Sequence, residues 1–119
     1  MRLLRSFSYA LAGLAYLVRT QRNFRIELAI GALTVAGGVW LGVGRGEWLA
    51  LVLTIALVLA LEAVNTAIER AVDIAGPGLD ARAKAAKDVS AAAVFIVAIA
   101  SLAVGGAIFW PRLIAVLGK

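Results

Sequence analysis

The feature that most restricts the fold is an apolar run from Trp48 to Leu61, made almost entirely of Leu, Val, Ile and Ala. It continues without a polar loop into the segment L-E-A-V-N-T-A-I-E-R-A-V-D, which ends at Asp73. The whole chain is 63% hydrophobic and 16% charged, whereas soluble domains average about 45–50% apolar and about 25% charged residues. The sequence therefore predicts a small, single-domain integral membrane protein.

Continuous apolar runs, rather than alternating ones, favour helices over a membrane barrel. Helices also satisfy their own backbone hydrogen bonds, as a bilayer requires. We therefore predict an all-α membrane fold in which three helices, over residues 26–43, 48–73 and 80–110, span the membrane.

Polar and Gly- or Pro-containing segments mark the predicted ends of these helices. We expect a polar turn from Thr20 to Arg25, a tight loop from Gly42 to Glu47 and a helix break at Gly76-Pro77-Gly78. Asp80 is the predicted cap of the last helix, and Pro111 is its predicted end.

Residues 1–20 place apolar side chains on one stripe and polar side chains on another, which predicts an amphipathic helix on the membrane surface. A signal peptide is the alternative, but Ser6, Ser8 and Tyr9 interrupt its apolar part. Tyr9 and Tyr16 are most simply interpreted as interfacial anchors of this helix.

The distribution of cations predicts the orientation in the membrane. Nine of the 12 basic residues fall on one side: Arg2, Arg5, Arg19, Arg22, Arg25, Arg70, Arg82, Lys84 and Lys87. The positive-inside rule then puts the N-terminus and the loop from Gly76 to Lys87 on the cytoplasmic side of the membrane. Trp40, Trp48 and Trp110 fall near the outer interface, as expected of an aromatic belt.

Glu62, Asn65, Glu69 and Asp73 share one face of the second spanning helix at about 3.6 residues per turn. Acidic groups at membrane depth are expensive, so they indicate a functional site. Glu62 lies deepest, where poor solvation suits it to take a proton from a lipid hydroxyl. Glu69 and Asp73 lie nearer water, where a hydrated divalent cation could bring a polyphosphate. The chain has neither Cys nor His, so carboxylates, amides and amines must carry the chemistry.

The next helix offers a second candidate face. Its helical spacing puts four residues on one side: Lys84, Lys87, Asp88 and Ala91. A purely structural interpretation competes with a role in a functional site for three basic residues, because solvated helix ends commonly carry such charges. They are Arg70, Arg82 and Lys84. The hydroxyls of three further residues are predicted to bond to their own helix backbone: Thr34, Ser90 and Ser101.

A different class of function is a homo-oligomeric cation or proton pathway lined by Glu62, Asn65 and Glu69. The outer half of the same helix argues against this alternative, because Thr54 is its only polar group between Leu49 and Ala60.

Four segments together resemble the small bacterial diacylglycerol kinase and undecaprenol kinase family. They are S-F-x-Y-A-x-x-G at 6–13, N-F-R at 23–25, E-x-x-N-T-A-I-E-x-x-x-D at 62–73 and A-K-D-x-x-A-A-A-V at 86–94. The resemblance implies a homotrimer with active sites shared between chains at the cytoplasmic interface. It also implies transfer of the ATP γ-phosphate, with Mg²⁺, to a membrane lipid alcohol, either diacylglycerol or undecaprenol.

The resemblance further assigns roles residue by residue. Glu62 corresponds to the general base that contacts the lipid hydroxyl, and Glu69 to a metal ligand. The positions that match groups around the nucleotide are Arg2, Tyr9, Asn65, Asp73, Lys87 and Asp88. Ala91, on the face of Lys84 and Lys87, is a candidate lipid contact.

The sequence departs from the family pattern in two places. Gln21 stands where relatives usually have a second metal-binding Glu, and an amide oxygen binds Mg²⁺ more weakly than a carboxylate does. Gly78-Leu79-Asp80 stands where relatives often have E-Y-H, so backbone groups are expected to contact the base. A catalytically impaired structural homologue is therefore a further alternative.

Overall fold

The computed structural model describes residues 1–76 and 80–118, and over these it contains four helices. These are α1 (Arg2–Thr20), α2 (Arg22–Leu41), α3 (Arg45–Ala75) and α4 (Ala81–Leu117). The last three are long and apolar enough to cross a membrane, as predicted. With 31 residues in α3 and 37 in α4, both exceed a hydrocarbon core of about 30 Å at about 1.5 Å per residue.

α3 is the centre of the fold, because it packs mainly on α4 and next on α2. α3 and α4 are antiparallel. Glu47 near the start of α3 contacts Arg112 near the end of α4, and Asp73 near the end of α3 contacts Lys87 near the start of α4. The polar end of α3 therefore lies beside the polar start of α4.

The turn between α2 and α3 is shorter than the predicted loop over 42–47. Gly42 ends α2 with a left-handed backbone (φ 66°), which favours glycine. α3 begins already at Arg45, because the Glu47 carboxylate accepts a hydrogen bond from the Gly44 N–H (3.0 Å) and caps the helix start. Close packing also constrains this end: a Cβ on Gly38 would lie 2.7 Å from Cη2 of Trp48.

The predicted polar turn from Thr20 to Arg25 is wrong for most of its length. Only Gln21 departs from helical geometry (φ −111°, ψ 108°), and α2 begins at Arg22 rather than at residue 26. Arg25 explains why the sharp junction is stable: its Nη1 donates to the carbonyl of Val18 (2.8 Å) and to that of Arg19 (3.2 Å). These carbonyls would otherwise lack intrahelical partners.

The prediction that Pro111 ends the last helix is also wrong, because α4 continues through it to Leu117. Tertiary contacts outweigh the local effect of proline here. Arg112, the next residue, pairs with Glu47 and donates to the carbonyls of Leu41 (3.5 Å) and Gly42 (3.4 Å). These contacts fix the segment after Pro111 against the ends of two other helices.

The break before α4 lies partly outside the described residues. α3 ends at Ala75 with the Gly76 N–H donating to the Val72 carbonyl (2.9 Å), whereas Pro77 and Gly78 fall outside. The predicted cap of α4 is confirmed: Asp80 Oδ1 accepts from the Arg82 N–H at 2.8 Å. Hydrogen bonds from the Arg82 side chain and backbone hold the pKa of Asp80 below its ordinary value.

The core of a single chain is small. Leu51 (2% exposed) and Phe24 (3%) are its most buried apolar side chains. Large apolar side chains on all four helices remain exposed, which is expected for surfaces that face lipid or another chain. The helix ends carrying Trp40, Trp48 and Trp110 meet at one end of the fold, and the polar end of α3 lies at the other.

Candidate active site on the third and fourth helices

The predicted polar face lies on α3, which is one continuous helix through the whole motif. Burial decreases along this face. Glu62 is 6% exposed, Asn65 and Glu69 are half-buried, and Asp73 is exposed. One helix therefore carries acidic groups from an enclosed position to an open one.

Glu62 is the one buried acidic side chain in the described part of the chain. The charges that act on it come from Glu27 on α2 and Glu69 on α3. None of the ion pairs in residues 1–76 and 80–118 involves Glu62. Its carboxylate oxygens are therefore available to accept a proton from a substrate hydroxyl.

Glu27 is a member of this acidic group that sequence reasoning missed. It is half-buried in the second turn of α2 and acts electrostatically on Glu62 from across the helix interface. In sequence it is visible only as the single acidic residue of an apolar span. No motif spacing relates it to Glu62, because only the packing of α2 on α3 brings the two together.

Asn65 forms the structural centre of the polar face. Its Nδ2 donates to Glu69 Oε1 (3.3 Å), and its Oδ1 accepts from Ser90 Oγ on α4 (2.6 Å). Ser90 was predicted to bond to its own helix, and this prediction is wrong; it is 6% exposed and faces α3. The same prediction is confirmed for Thr34 and Ser101, which donate to Ile30 and Ala98 carbonyls.

Lys87 and Asp88, adjacent in sequence, have different partners. Lys87 Nζ forms an ion pair with Asp73 Oδ1 on α3. Asp88 instead accepts from Lys84 Nζ at 2.6 Å, one helical turn away on α4. Lys87 therefore belongs to the α3–α4 interface, whereas Lys84 and Asp88 form an exposed pair on the surface of α4.

The other candidate residues lie apart from this face within one chain. Arg2 and Tyr9 are exposed on the first half of α1, and Ala91 is exposed on α4. Gln21 lies at the α1–α2 junction, where its Nε2 donates to Thr20 Oγ1 (3.1 Å). The hydrogen bonds of the described residues connect none of these four side chains to the polar face of α3.

Tyr16, which the sequence predicts to be an interfacial anchor, also connects α1 to α3. Its hydroxyl accepts a hydrogen bond from Arg70 Nε at 2.8 Å, across 54 residues of sequence. This hydrogen bond, and then the charge of Arg70, lower the pKa of the Tyr16 phenol. Arg70 follows Glu69 directly, so the contact holds α1 beside the exposed end of the polar face, the end nearest Asp73.

Apolar cavities extend from this contact along α3. One of about 480 Å³ lies between α1 and α3 and reaches Thr66 and Arg70. A second of about 340 Å³ continues along α3 to Leu59. Leu14 and Ala63 line both cavities, so together they form one apolar groove beneath α1.

The donor set fits a cation that arrives with a phosphate ligand better than one held by the protein alone. The described residues contain no group of three or more Asp, Glu, His or Cys side chains arranged to hold a metal. Mg²⁺ commonly takes only one or two carboxylates and completes its shell with water and substrate phosphates. The half-buried Glu69 can supply such a carboxylate.

The alternative function, a cation or proton pathway along α3, finds no support in this geometry. Between Glu62 and the other end of α3, the helix buries Leu51 and Val58. The hydroxyl of Thr54 donates to the Ala50 carbonyl of the same helix at 2.6 Å. The polar face therefore has no polar continuation along α3.

Comparisons with known proteins identify the family of this chain. The family model described as prokaryotic diacylglycerol kinase matches residues 8–109. A diacylglycerol kinase of Synechocystis sp. is 41% identical over 116 residues, which are 97% of this chain and 66% of the relative. The chain thus spans slightly less than two thirds of that protein.

Two further relatives match over nearly their full length. An undecaprenol kinase of Bacillus subtilis is 37% identical over 94% of this chain and 91% of the relative. A diacylglycerol kinase of Haemophilus influenzae is 31% identical over 91% of this chain and 92% of the relative. Because the family model matches most of the chain and extends from α1 into α4, the chain belongs to the prokaryotic diacylglycerol kinase family.

Proposed function

We propose that this protein transfers the γ-phosphate of ATP to the hydroxyl of a membrane lipid alcohol, at the cytoplasmic face of a bacterial inner membrane. Membership of the family makes the chain a lipid kinase. The observation that carries the mechanism is the buried Glu62, 6% exposed, at the enclosed end of a polar face on a membrane-length helix.

Glu62 acts as the general base. A carboxylate oxygen of Glu62 accepts the proton of the lipid hydroxyl as that oxygen attacks the γ-phosphorus. The bond between the γ-phosphorus and the bridging oxygen breaks, so ADP leaves with the electron pair. Enclosure of Glu62 keeps water from competing with the lipid as acceptor.

Glu69 and Asn65 bind the nucleotide end of the reaction. Glu69 supplies a carboxylate to the divalent cation that accompanies ATP, which we take to be Mg²⁺. When bound, this ion neutralises charge on the β- and γ-phosphates. Asn65 and Asp73 lie beside Glu69 on the same face and orient the groups around the phosphates.

Lys87 supplies the positive charge for the phosphates. Its ion pair with Asp73 holds the ammonium at the α3–α4 interface next to the polar face. A compact ammonium with three donors suits a phosphoryl group. Asp88 is proposed to lie on the nucleotide side as well, with Lys84 as its partner in the isolated chain.

The lipid occupies the apolar groove beneath α1. The groove reaches Thr66, one helical turn from Glu62, so a hydrocarbon chain lying there can present its hydroxyl to the base. Ala91 is the candidate lipid contact on α4. The relatives named above are diacylglycerol and undecaprenol kinases, and either acceptor carries a single hydroxyl at the interface.

A homotrimer completes the site. Arg2, Tyr9 and Gln21 have no hydrogen bond to the polar face among the described residues, and Tyr9 is 73% exposed. A neighbouring chain can bring its own α1 to this face, whereas α1 in the same chain is attached through Tyr16 and Arg70. In this arrangement α1 lies as an amphipathic helix on the membrane surface, with the N-terminus cytoplasmic.

The experiment is transfer of radiolabelled phosphate from Mg-ATP by the purified full chain in detergent micelles. Diacylglycerol and undecaprenol are supplied side by side at equal mole fraction. Labelled phosphatidic acid or undecaprenyl phosphate is the expected product, and the ratio of the two rates identifies the acceptor. If folded protein forms neither product, the proposal is overturned in favour of an impaired homologue.

A further inference from the structure

Ser90 on α4 is connected to the candidate metal ligand by two consecutive hydrogen bonds. It is 6% exposed, and its Oγ donates to Asn65 Oδ1 at 2.6 Å. The other end of the same amide donates from Nδ2 to Glu69 Oε1 at 3.3 Å. Asn65 is therefore held from both sides.

The chemistry of the three groups fixes the direction of both bonds. An ionised carboxylate only accepts hydrogen bonds, so Asn65 must turn its NH₂ group toward Glu69. The amide oxygen then points toward α4, where a donor is needed. A serine hydroxyl can donate, whereas an apolar side chain at position 90 would leave the amide oxygen without this partner.

We propose that Ser90 is a positioning residue for metal-nucleotide binding. It holds the Asn65 amide so that Asn65 donates to Oε1 of Glu69, and this leaves Oε2 of Glu69 free for the cation that accompanies ATP. The inference rests on the proposed function only in taking Glu69 as the metal ligand.

The expected effect of losing this contact is on metal affinity. Removing outer partners of metal ligands typically lowers affinity by about 10- to 100-fold. Ser90 acts one residue further away, through Asn65, so we expect Ser90→Ala to weaken binding by about three- to tenfold, the loss of one net hydrogen bond.

Mn²⁺ is the probe, titrated by electron paramagnetic resonance into the full chain in micelles with a non-hydrolysable ATP analogue. Ser90→Ala should raise the Kd about three- to tenfold, and the Mg²⁺ concentration for half-maximal activity should rise in parallel. The rate at saturating Mg²⁺ should change little. Ser101→Ala is the matched control, because its hydroxyl bonds only to the Ala98 carbonyl of the same helix, and its Kd should equal that of wild type.

A double-mutant cycle separates positioning from general destabilisation. In an Asn65→Ala background, Ser90→Ala should have no further effect on the Mn²⁺ Kd. An equal Kd for wild type and Ser90→Ala, or an effect that persists without Asn65, would overturn the inference.

If Ser90→Ala does not fold, Ser90→Cys nearly preserves the volume with a weaker donor and should give a Kd above that of wild type. A wild-type Kd for Ser90→Cys would again count against the inference. Binding that survives Glu69→Gln unchanged would overturn both this inference and the role of Glu69. Failure of the proposed function is distinguished by a different readout, the absence of phosphate transfer by wild type.

Discussion

Lys87 of α4 forms an ion pair with Asp73 of α3, although 14 residues separate them in sequence. The two side chains are 35% and 53% exposed, respectively, so water and a ligand can both reach the pair. Because the carboxylate restrains the ammonium before any ligand binds, Lys87 is oriented in advance toward the polar face of α3.

We expect Lys87→Met to lower kcat/KM for Mg-ATP by about 10²-fold, since one oriented donor to the transferring phosphate is lost. Steady-state kinetics of phosphate transfer provides the measurement. Lys84→Met is the matched control, because Lys84 pairs with Asp88 on the exposed surface of α4, and its effect should be much smaller. Equal losses in the two variants would contradict the role of Lys87.

Glu62→Gln should lower the rate at saturating substrates by about 10²- to 10⁴-fold, the usual contribution of a general base. The amide keeps the shape of the side chain but cannot take the proton. Added Mg²⁺ should not restore this rate, whereas Glu69→Gln should be partly restored by it. Activity of Glu62→Gln close to wild type would show that another group accepts the proton.

Gln21→Glu should lower the Mg²⁺ concentration needed for half-maximal activity, because a carboxylate binds Mg²⁺ more strongly than an amide oxygen does. The measurement is a Mg²⁺ titration at fixed ATP. Gln21→Ala should leave this concentration the same or raise it. A Glu variant indistinguishable from wild type would place position 21 away from the metal.

The Tyr16–Arg70 contact predicts a pH dependence. In a Tyr9→Phe variant, phenolate absorbance should report a Tyr16 pKa below the ordinary value of about 10, as the Arg70 hydrogen bond requires. The contact lowers the pKa of Tyr16 in the folded state, so it stabilises the fold when the phenol is ionised. This stabilisation is fully present above the pKa of Tyr16 in the unfolded chain and is lost as pH falls through its pKa in the folded chain. Arg70→Gln should return the pKa to its usual range; an unchanged titration would exclude the contact.

Arg112 should contribute to stability and little to catalysis. It belongs to α4 but contacts the start of α3, and the polar face lies at the other end of α3. Its guanidinium pairs with Glu47 and donates to the last carbonyls of α2. Arg112→Gln should therefore lower the thermal unfolding midpoint by several degrees with the kinase rate largely retained below that temperature. A lost rate with an unchanged midpoint would contradict this division.

Much of the fold follows from local pattern. Apolar runs predict helices, Asp80 predicts a cap, and the spacing of Glu62, Asn65 and Glu69 predicts one polar face, because each depends on residues a few positions apart. Helix ends were predicted less well. Pro111 does not end α4 and Arg22 already lies in α2, because Arg112 and Arg25 stabilise these segments through contacts that spacing does not reveal.

Hydropathy and short motifs are local properties, so they are enough to predict an integral membrane protein, its helices, its acidic face and its resemblance to a kinase family. Which side chains meet across helices depends instead on how the helices pack. Ser90 reaches Asn65, Lys87 reaches Asp73 and Tyr16 reaches Arg70. These contacts join residues far apart in sequence, and the rotation and register of packed helices determine them.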